Sequence, residues 1–367
     1  MGRRLTAILG IVLTIAALGG CRNQQREQTR VRSEGLELMT LIDVALVLPD
    51  GRYASELRGG KASGPAACWP AAVQLSAMAA AARVDDRWTL PLADYAVALD
   101  PHLATFNSID GYAATTQSPD RFYDDNAWVA LAMLETHSLT RNPEHLRRAR
   151  TALDFVLTGE DQTLGGGLYW HEQTRQSKNT CANAPAMVAC LRMTRATGDA
   201  RYTAAALRIY DWLQIRLRDG DGLYMDHVKV TGEIDPTKFS YNSAMVILAN
   251  CELYDATQQV SYLDDARKTA RAAIKRWIDP LSGAIGDDTP FASLLVESLL
   301  ELYRRDGDRR WRDAARSGVT FLRTKNVDRR GWHPARADDQ PKRPIDAVRL
   351  IDQSAAARAI LIAEIIR

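Results

Sequence analysis

Tyr123-Asp124-Asp125-Asn126-Ala127-Trp128-Val129-Ala130-Leu131-Ala132-Met133-Leu134 decides how this chain folds. From Ala127 to Leu134 every side chain is apolar. A helix apolar on every side is a buried helix. The next segment is different. Leu146, Ala149, Leu153 and Val156 recur at helical spacing, with Arg147, Arg148, Arg150 and Asp154 between them. That is a surface helix with a single core-facing stripe. A buried helix followed by a surface helix makes a hairpin, and the hairpin repeats. Leu139-Thr140-Arg141-Asn142 leads to Leu146, Ala196-Thr197-Gly198-Asp199 to Tyr202, Ala256-Thr257 to Tyr262, and Arg305-Asp306-Gly307-Asp308 to Trp311. The anchor steps by about fifty to sixty residues each time, and such a period marks a repeated supersecondary unit. From residue 65 onward about six such pairs are expected. Alternating buried and surface helices predict an inner ring inside an outer ring, an all-α (α/α)6 toroid. A solenoid is the competing arrangement, but it would not leave each first helix so uniformly apolar.

The polar motifs cluster at one end of this pattern. Asp124-Asp125-Asn126, Lys178-Asn179 with Asn183, Tyr241-Asn242, Asp287-Asp288 and Asp352-Gln353 each stand at or just before the start of a buried helix. If those helices run parallel around a ring, these groups share one mouth, where free N–H donors favour carboxylates. Glycine-rich loops carrying Tyr169-Trp170 and Leu223-Tyr224 lead to the same end. Aromatic faces beside polar edges suit a sugar. One aspartate there could be a helix cap. Two adjacent ones exceed what a cap needs and repel each other.

The remaining features bound the setting. Arg3-Arg4, the apolar run Leu5–Leu18 and Leu18-Gly19-Gly20-Cys21 read as an export signal over 1–20. The cysteine in that place resembles a bacterial lipoprotein signal, which implies lipidation at Cys21 and a membrane-anchored, exported protein on the periplasmic or outer-membrane face. Residues 21–35 read as a polar tether and 36–367 as the folded domain. With 367 residues and a formal charge of +2, nothing points to nucleic acid. The basic pairs Arg147-Arg148 and Arg304-Arg305 read as solvated helix faces. Cys68, Cys181, Cys190 and Cys251 lack metal-type spacing and the histidines are scattered, so neither a metal nor a cofactor is expected. A monomer is expected.

Tyr123-Asp124-Asp125-Asn126-Ala127-Trp128 resembles the signature of glycoside hydrolase family 76, the endo-α-1,6-mannanases. The likeness continues through Gly166-Gly167-Leu168-Tyr169-Trp170, Lys178-Asn179 with Asn183, Tyr210-Asp211-Trp212-Leu213, Gly222-Leu223-Tyr224-Met225-Asp226 and Tyr241-Asn242. The resemblance implies a retaining glycosidase on an (α/α)6 barrel acting on an α-linked mannan. It implies that Asp124 is the nucleophile and Asp125 the general acid/base. It places Tyr123, Asn126, Trp170, Asn179, Asn183, Asp226, Tyr241, Asn242 and Asp288 in the substrate cleft. Two departures stand out: Ser243-Ala244 where the family usually has Gln-Gly, and Ala292-Ser293 after Phe291 where it often has Lys-Gly. They predict an altered cleft around an intact catalytic pair. Two other functions compete: a non-catalytic glycan-binding lipoprotein, and a sugar isomerase or epimerase on the same toroid. The latter needs histidine bases at the inner helix starts, whereas His137 and His145 fall at the other end of their hairpin.

Overall fold

The computed structural model describes residues 34–366, so Cys21, the export signal and most of the tether lie outside the described residues. A helix over 34–46 (α1) comes first. Eleven more follow: α2 (Cys68–Val84), α3 (Thr89–Ala98), α4 (Tyr123–Thr140), α5 (Pro143–Leu157), α6 (Thr180–Thr197), α7 (Ala200–Arg216), α8 (Ser240–Thr257), α9 (Val260–Trp277), α10 (Thr289–Asp306), α11 (Arg309–Thr324) and α12 (Leu350–Ile365). The even-numbered helices each pack on the next, and α12 returns to pack on α2. That closed inner ring excludes the solenoid and is the expected toroid. Residues 34–35, read as the end of the tether, belong to α1. Gly35 packs so closely on Leu361 that a Cβ there would clash, and Glu34 pairs with Arg323 on α11.

The hairpin turns explain the repeat. α4, α6, α8 and α10 end on Arg141, Gly198, Gln258 and Gly307, all left-handed. The following residue starts the outer helix, and Asn142, Asp199 and Asp308 cap it by accepting from the backbone N–H two residues on. Three residues after these caps come the buried anchors Tyr202 and Trp311. Counted the same way, the anchor in α5 is His145, not Leu146. His145 is buried and its Nδ1 lies 2.8 Å from Thr140 Oγ1.

Short strands line the end where the inner helices begin. β1 (Glu56–Arg58) pairs with β2 (Lys61–Ala62). β3 (Leu103–Phe106) and β4 (Ile109–Tyr112) form a hairpin. β5 (Ser177–Asn179), β6 (His227–Lys229) and β7 (Ile234–Asp235) form a sheet. β8 (Ala347–Arg349) pairs antiparallel with β1, Glu56 opposite Arg349, and so ties the last hairpin to the first.

The other end of the ring is filled by paired charges. Arg358 of α12 reaches Glu297 of α10 at 2.8 Å and Glu135 of α4 at 3.0 Å. Arg83 also meets Glu135, at 2.9 Å. Arg192 and Arg195 of α6 hold Glu252 of α8 at 2.9 and 2.8 Å. Burial alone would push Glu135 and Glu252 up; these arginines more than reverse that and leave both carboxyls below their ordinary range. The basic pairs read as solvated are half buried in fact. Arg148 takes Asp100 with two hydrogen bonds, at 2.8 and 2.6 Å. Arg305 is held between Asp255 and Glu301.

Candidate active site

The starts of the inner helices obey one register rule. The second and third residues face the mouth: Trp69 in α2, Asp124 and Asp125 in α4, Cys181 in α6, Tyr241 and Asn242 in α8, Phe291 in α10 and Asp352 in α12. The fourth residue is different. In four helices it clamps the chain segment that runs in beside the helix. Asn126 accepts from Tyr112 N at 2.7 Å and donates to the carbonyls of Tyr112 and Phe122. Asn183 does the same with Leu168 N, Leu168 O and Asn179 O. Gln353 brackets His333 N and O at 2.8 Å each. Ser243 accepts from Tyr224 N at 3.2 Å.

This register corrects two of the cleft assignments. Asn126 and Asn183 are fully buried, and both amide protons of each are spent on backbone carbonyls, so neither is available to a ligand. Tyr123 also leaves the cleft. It is the first residue of its helix, fully buried, with its ring stacked on Phe155 at 4.9 Å. The Ser243 departure changes a clamp, not the cleft.

Asp124 and Asp125 remain at the mouth, with no cation among the described residues paired to them. Trp170 Nε1 donates to Asp124 Oδ2 at 3.0 Å, and the Cys181 thiol approaches the same oxygen at 3.5 Å. Asp124 Oδ1 is buried and accepts nothing. Burial raises the Asp124 carboxyl to about 6, with the Trp170 hydrogen bond working against the rise. Asp125 is pushed well above its ordinary value, first by burial and then by the charge of Asp124. The two therefore cannot both ionise easily, which separates an anion from a proton carrier. Burial, with the charges of Asp124 and Asp226 beside it, also raises the Cys181 thiol and keeps it neutral.

Around the pair the groups differ in availability. Trp170 is 40% exposed at the rim. Asn179 is buried, with Oδ1 accepting from Ser177 Oγ at 2.7 Å. Tyr241 stacks on Phe291 at 4.1 Å, and Phe291 on Trp69 at 6.1 Å. These rings make an aromatic wall from α8 through α10 to α2. Trp69 Nε1 and Asn242 Oδ1 are buried with no partner. Asp226 is held by His227 Nδ1 at 2.8 Å. Asp288 stands at the N-cap position of α10 without a side-chain capping bond, with Arg336 3.9 Å away. Asp352 is bound by Arg349 through two 2.7 Å hydrogen bonds, yet burial still raises it to about 6. Trp69, Cys181, Phe291 and His227 were not singled out by sequence. Counting residues from each inner helix start would have found the first three. His137 and His145 sit at the far end, as expected. All four cysteines described are free and buried, and no described helix is long and apolar enough to cross a membrane.

The fold is an (α/α)6 toroid with an aspartate pair at its mouth. The profile of Glycosyl hydrolase family 76 matches residues 52–302, and the chain belongs to that family. Among solved structures, a family 76 α-mannanase of Bacteroides thetaiotaomicron superposes with a TM-score of 0.85 at 27% identity, over 91% of this chain and 95% of the other. The α-1,6-mannanase of Salegentibacter sp. superposes at 0.80 and 21% identity, over 93% and 100%. An inactive variant of the latter, with two aspartates changed to asparagine, is in complex with α-1,6-mannotriose. A mannan endo-1,6-alpha-mannosidase of Candida glabrata is 25% identical over 40% of this chain and 36% of its own length. The meiotically up-regulated gene 191 protein of Schizosaccharomyces pombe is 24% identical over 54% of this chain and 49% of its own length. The chain thus spans half or less of these curated relatives.

Proposed function

We propose that this protein hydrolyses α-1,6-mannan-type linkages with retention of configuration. Asp124 is the nucleophile and Asp125 the general acid/base. The observation that carries this reading is the half-buried aspartate pair at the mouth, with no cation from the described residues beside it and both carboxyls raised. Asp124 attacks the anomeric carbon as a carboxylate, and the bond to the departing glycosidic oxygen breaks as Asp125 protonates that oxygen. Asp125, now ionised, takes a proton from water, which displaces Asp124 and restores both groups. Trp170 and Cys181 hold Asp124 in place through Oδ2. Asp226, Asn242 and Trp69 offer polar atoms to sugar hydroxyls, and Tyr241 and Phe291 form an apolar wall for the ring's C–H face. The mannan complexes of the Salegentibacter relative support the choice of substrate.

The same proposal places the enzyme outside the cytoplasm, anchored by lipid at Cys21 and acting as a monomer on a polysaccharide. Incubating a soluble form that starts near Ser33 with α-1,6-mannan and other α-glycans, and following reducing ends, tests the activity. Binding of mannan without release, in a folded protein, would favour the glycan-binding alternative. Labelling with radioactive palmitate, lost on Cys21→Ala, tests the anchor.

A further inference from the structure

The sheet beside α6 carries a polar row across its strands. His227 of β6 pairs with Asn179 of β5 on one side and with Asp235 of β7 on the other. Directly opposed residues share a face. One side-chain nitrogen of His227 and one oxygen each of Asp226 and Asp235 lie within 4.8 Å of one another. Asp235 accepts from Thr237 N at 2.9 Å. Its hydrogen bonds to Thr237 hold it below the ordinary carboxylate range, with His227 and Lys229 adding to the effect. It therefore stands beside the imidazole as a fixed anion. On the other side, His227 Nδ1 is 2.8 Å from Asp226 Oδ2. An ionised carboxylate only accepts, so Nδ1 carries the proton in that bond.

Asp226 is also fixed in place relative to the nucleophile. Thr180, the first residue of α6, donates from N to Asp226 O at 2.8 Å and from Oγ1 to Met225 O at 2.6 Å. The next residue, Cys181, approaches Asp124 Oδ2 at 3.5 Å. Asp226 Oδ1 has only a long 3.5 Å approach from Asn242 Nδ2, and Asn242 is wholly buried with its own Oδ1 unpartnered. A carboxylate oxygen and an amide thus face the mouth together with their hydrogen-bonding capacity largely unspent.

We propose that His227 is a positioning residue: flanked by Asp235 across the strand pair, it donates to Asp226 Oδ2 and turns Asp226 Oδ1, with Asn242 beside it, toward a hydroxyl of the mannosyl unit under attack. The assignment rests on the mannanase reading, which is what places a sugar there. Its test is a double-mutant cycle on α-1,6-mannan with wild type, Asp226→Asn, His227→Ala and the double variant. Losing a hydrogen bond to a charged group should cost H227A roughly 10- to 100-fold in kcat/KM. Adding H227A to D226N should cost less than about 3-fold more, because residues acting through one another are not additive. H227N, whose amide nitrogen stands where Nδ1 was, should recover more activity than H227Q, whose nitrogen stands where Nε2 was. Thermal unfolding of each variant keeps folding apart from positioning. Additive losses, or an H227A enzyme equal to an active wild type, overturn the role of His227 alone. A folded wild type inactive on every α-mannan overturns the mannanase reading and this assignment with it. Activity abolished by chelator and restored by calcium also overturns it, since Asp226, His227 and Asp235 would then be ion ligands.

Discussion

The two ends of the toroid treat buried carboxylates in opposite ways. At the far end, Glu135, Glu252 and Glu297 each meet an arginine within 3.0 Å, and Glu135 and Glu252 sit below their ordinary range. At the mouth, Asp124 and Asp125 stand half-buried beside each other with no cation from the described residues, and both are raised. The helices are the same ones. Glu135 and Asp124 both belong to α4, three turns apart. Pairing makes the far end a plug that contributes no chemistry. Leaving the pair unmatched raises both carboxyls, the kind of shift that functional acids share.

The strongest way to break this contrast is to neutralise the mouth. Asp125→Asn should lower kcat on the order of 10²–10⁴ through loss of the acid/base, and Asp124→Asn should lower it at least as far. Both variants should melt at a higher temperature than wild type, because each removes one of two half-buried carboxylates that repel each other. Unchanged activity in both would return the pair to a capping role. The same chemistry applied to the far end should do the reverse. Glu135→Gln removes the carboxylate that Arg358 and Arg83 share and leaves Arg358 with Glu297 alone, and breaking a buried ion pair costs about 3–5 kcal/mol. Denaturant unfolding reads that loss, while kcat per folded molecule stays near wild type.

A pH series sharpens the comparison. Asp124 is raised from 3.8 to about 6, so its protonated form favours the fold. That contribution is fully present below about 3.8 and is lost as pH rises through about 6. Glu135 is lowered, so its contribution is present above the ordinary glutamate value and lost as pH falls through the lowered one. Unfolding of Asp124→Asn should therefore depend less on pH between about 4 and 6, and Glu135→Gln should flatten the acid limb. Activity should rise as the nucleophile ionises through about 6 and fall at higher pH as Asp125 gives up its proton, with the apparent values belonging to the pair. The smallest effect concerns the clamps. Asn183→Ala leaves Leu168 N and O without their partner and should cost about 1–3 kcal/mol. Its KM for mannan should not move, because Asn183 spends its amide on backbone.

The sequence carried the fold well, because burial on all sides against burial on one side is a direct reading of hydrophobic pattern. The ring, the hairpins and the shared mouth all follow from it. The placement of Asp124 and Asp125 at the start of an inner helix was legible, because two carboxylates stand together just before an apolar run. The site was misread at Asn126 and Asn183, since an asparagine beside a cleft and an asparagine clamping a strand look alike in one dimension. Their fourth-residue register in the helix separates them. Arg148 and Arg305 looked like solvated charge because their partners, Asp100 and Asp255, lie 48 and 50 residues away. His227 was invisible because only strand pairing brings Asp235 to it.

The most direct test of the central claim is proton NMR of α-1,6-mannan during the first minutes of hydrolysis by the wild-type enzyme. The α-anomer appearing first, before mutarotation, is the predicted result and requires a nucleophile and an acid/base acting in turn. The β-anomer appearing first would contradict that account, because the aspartate pair would then be activating water directly.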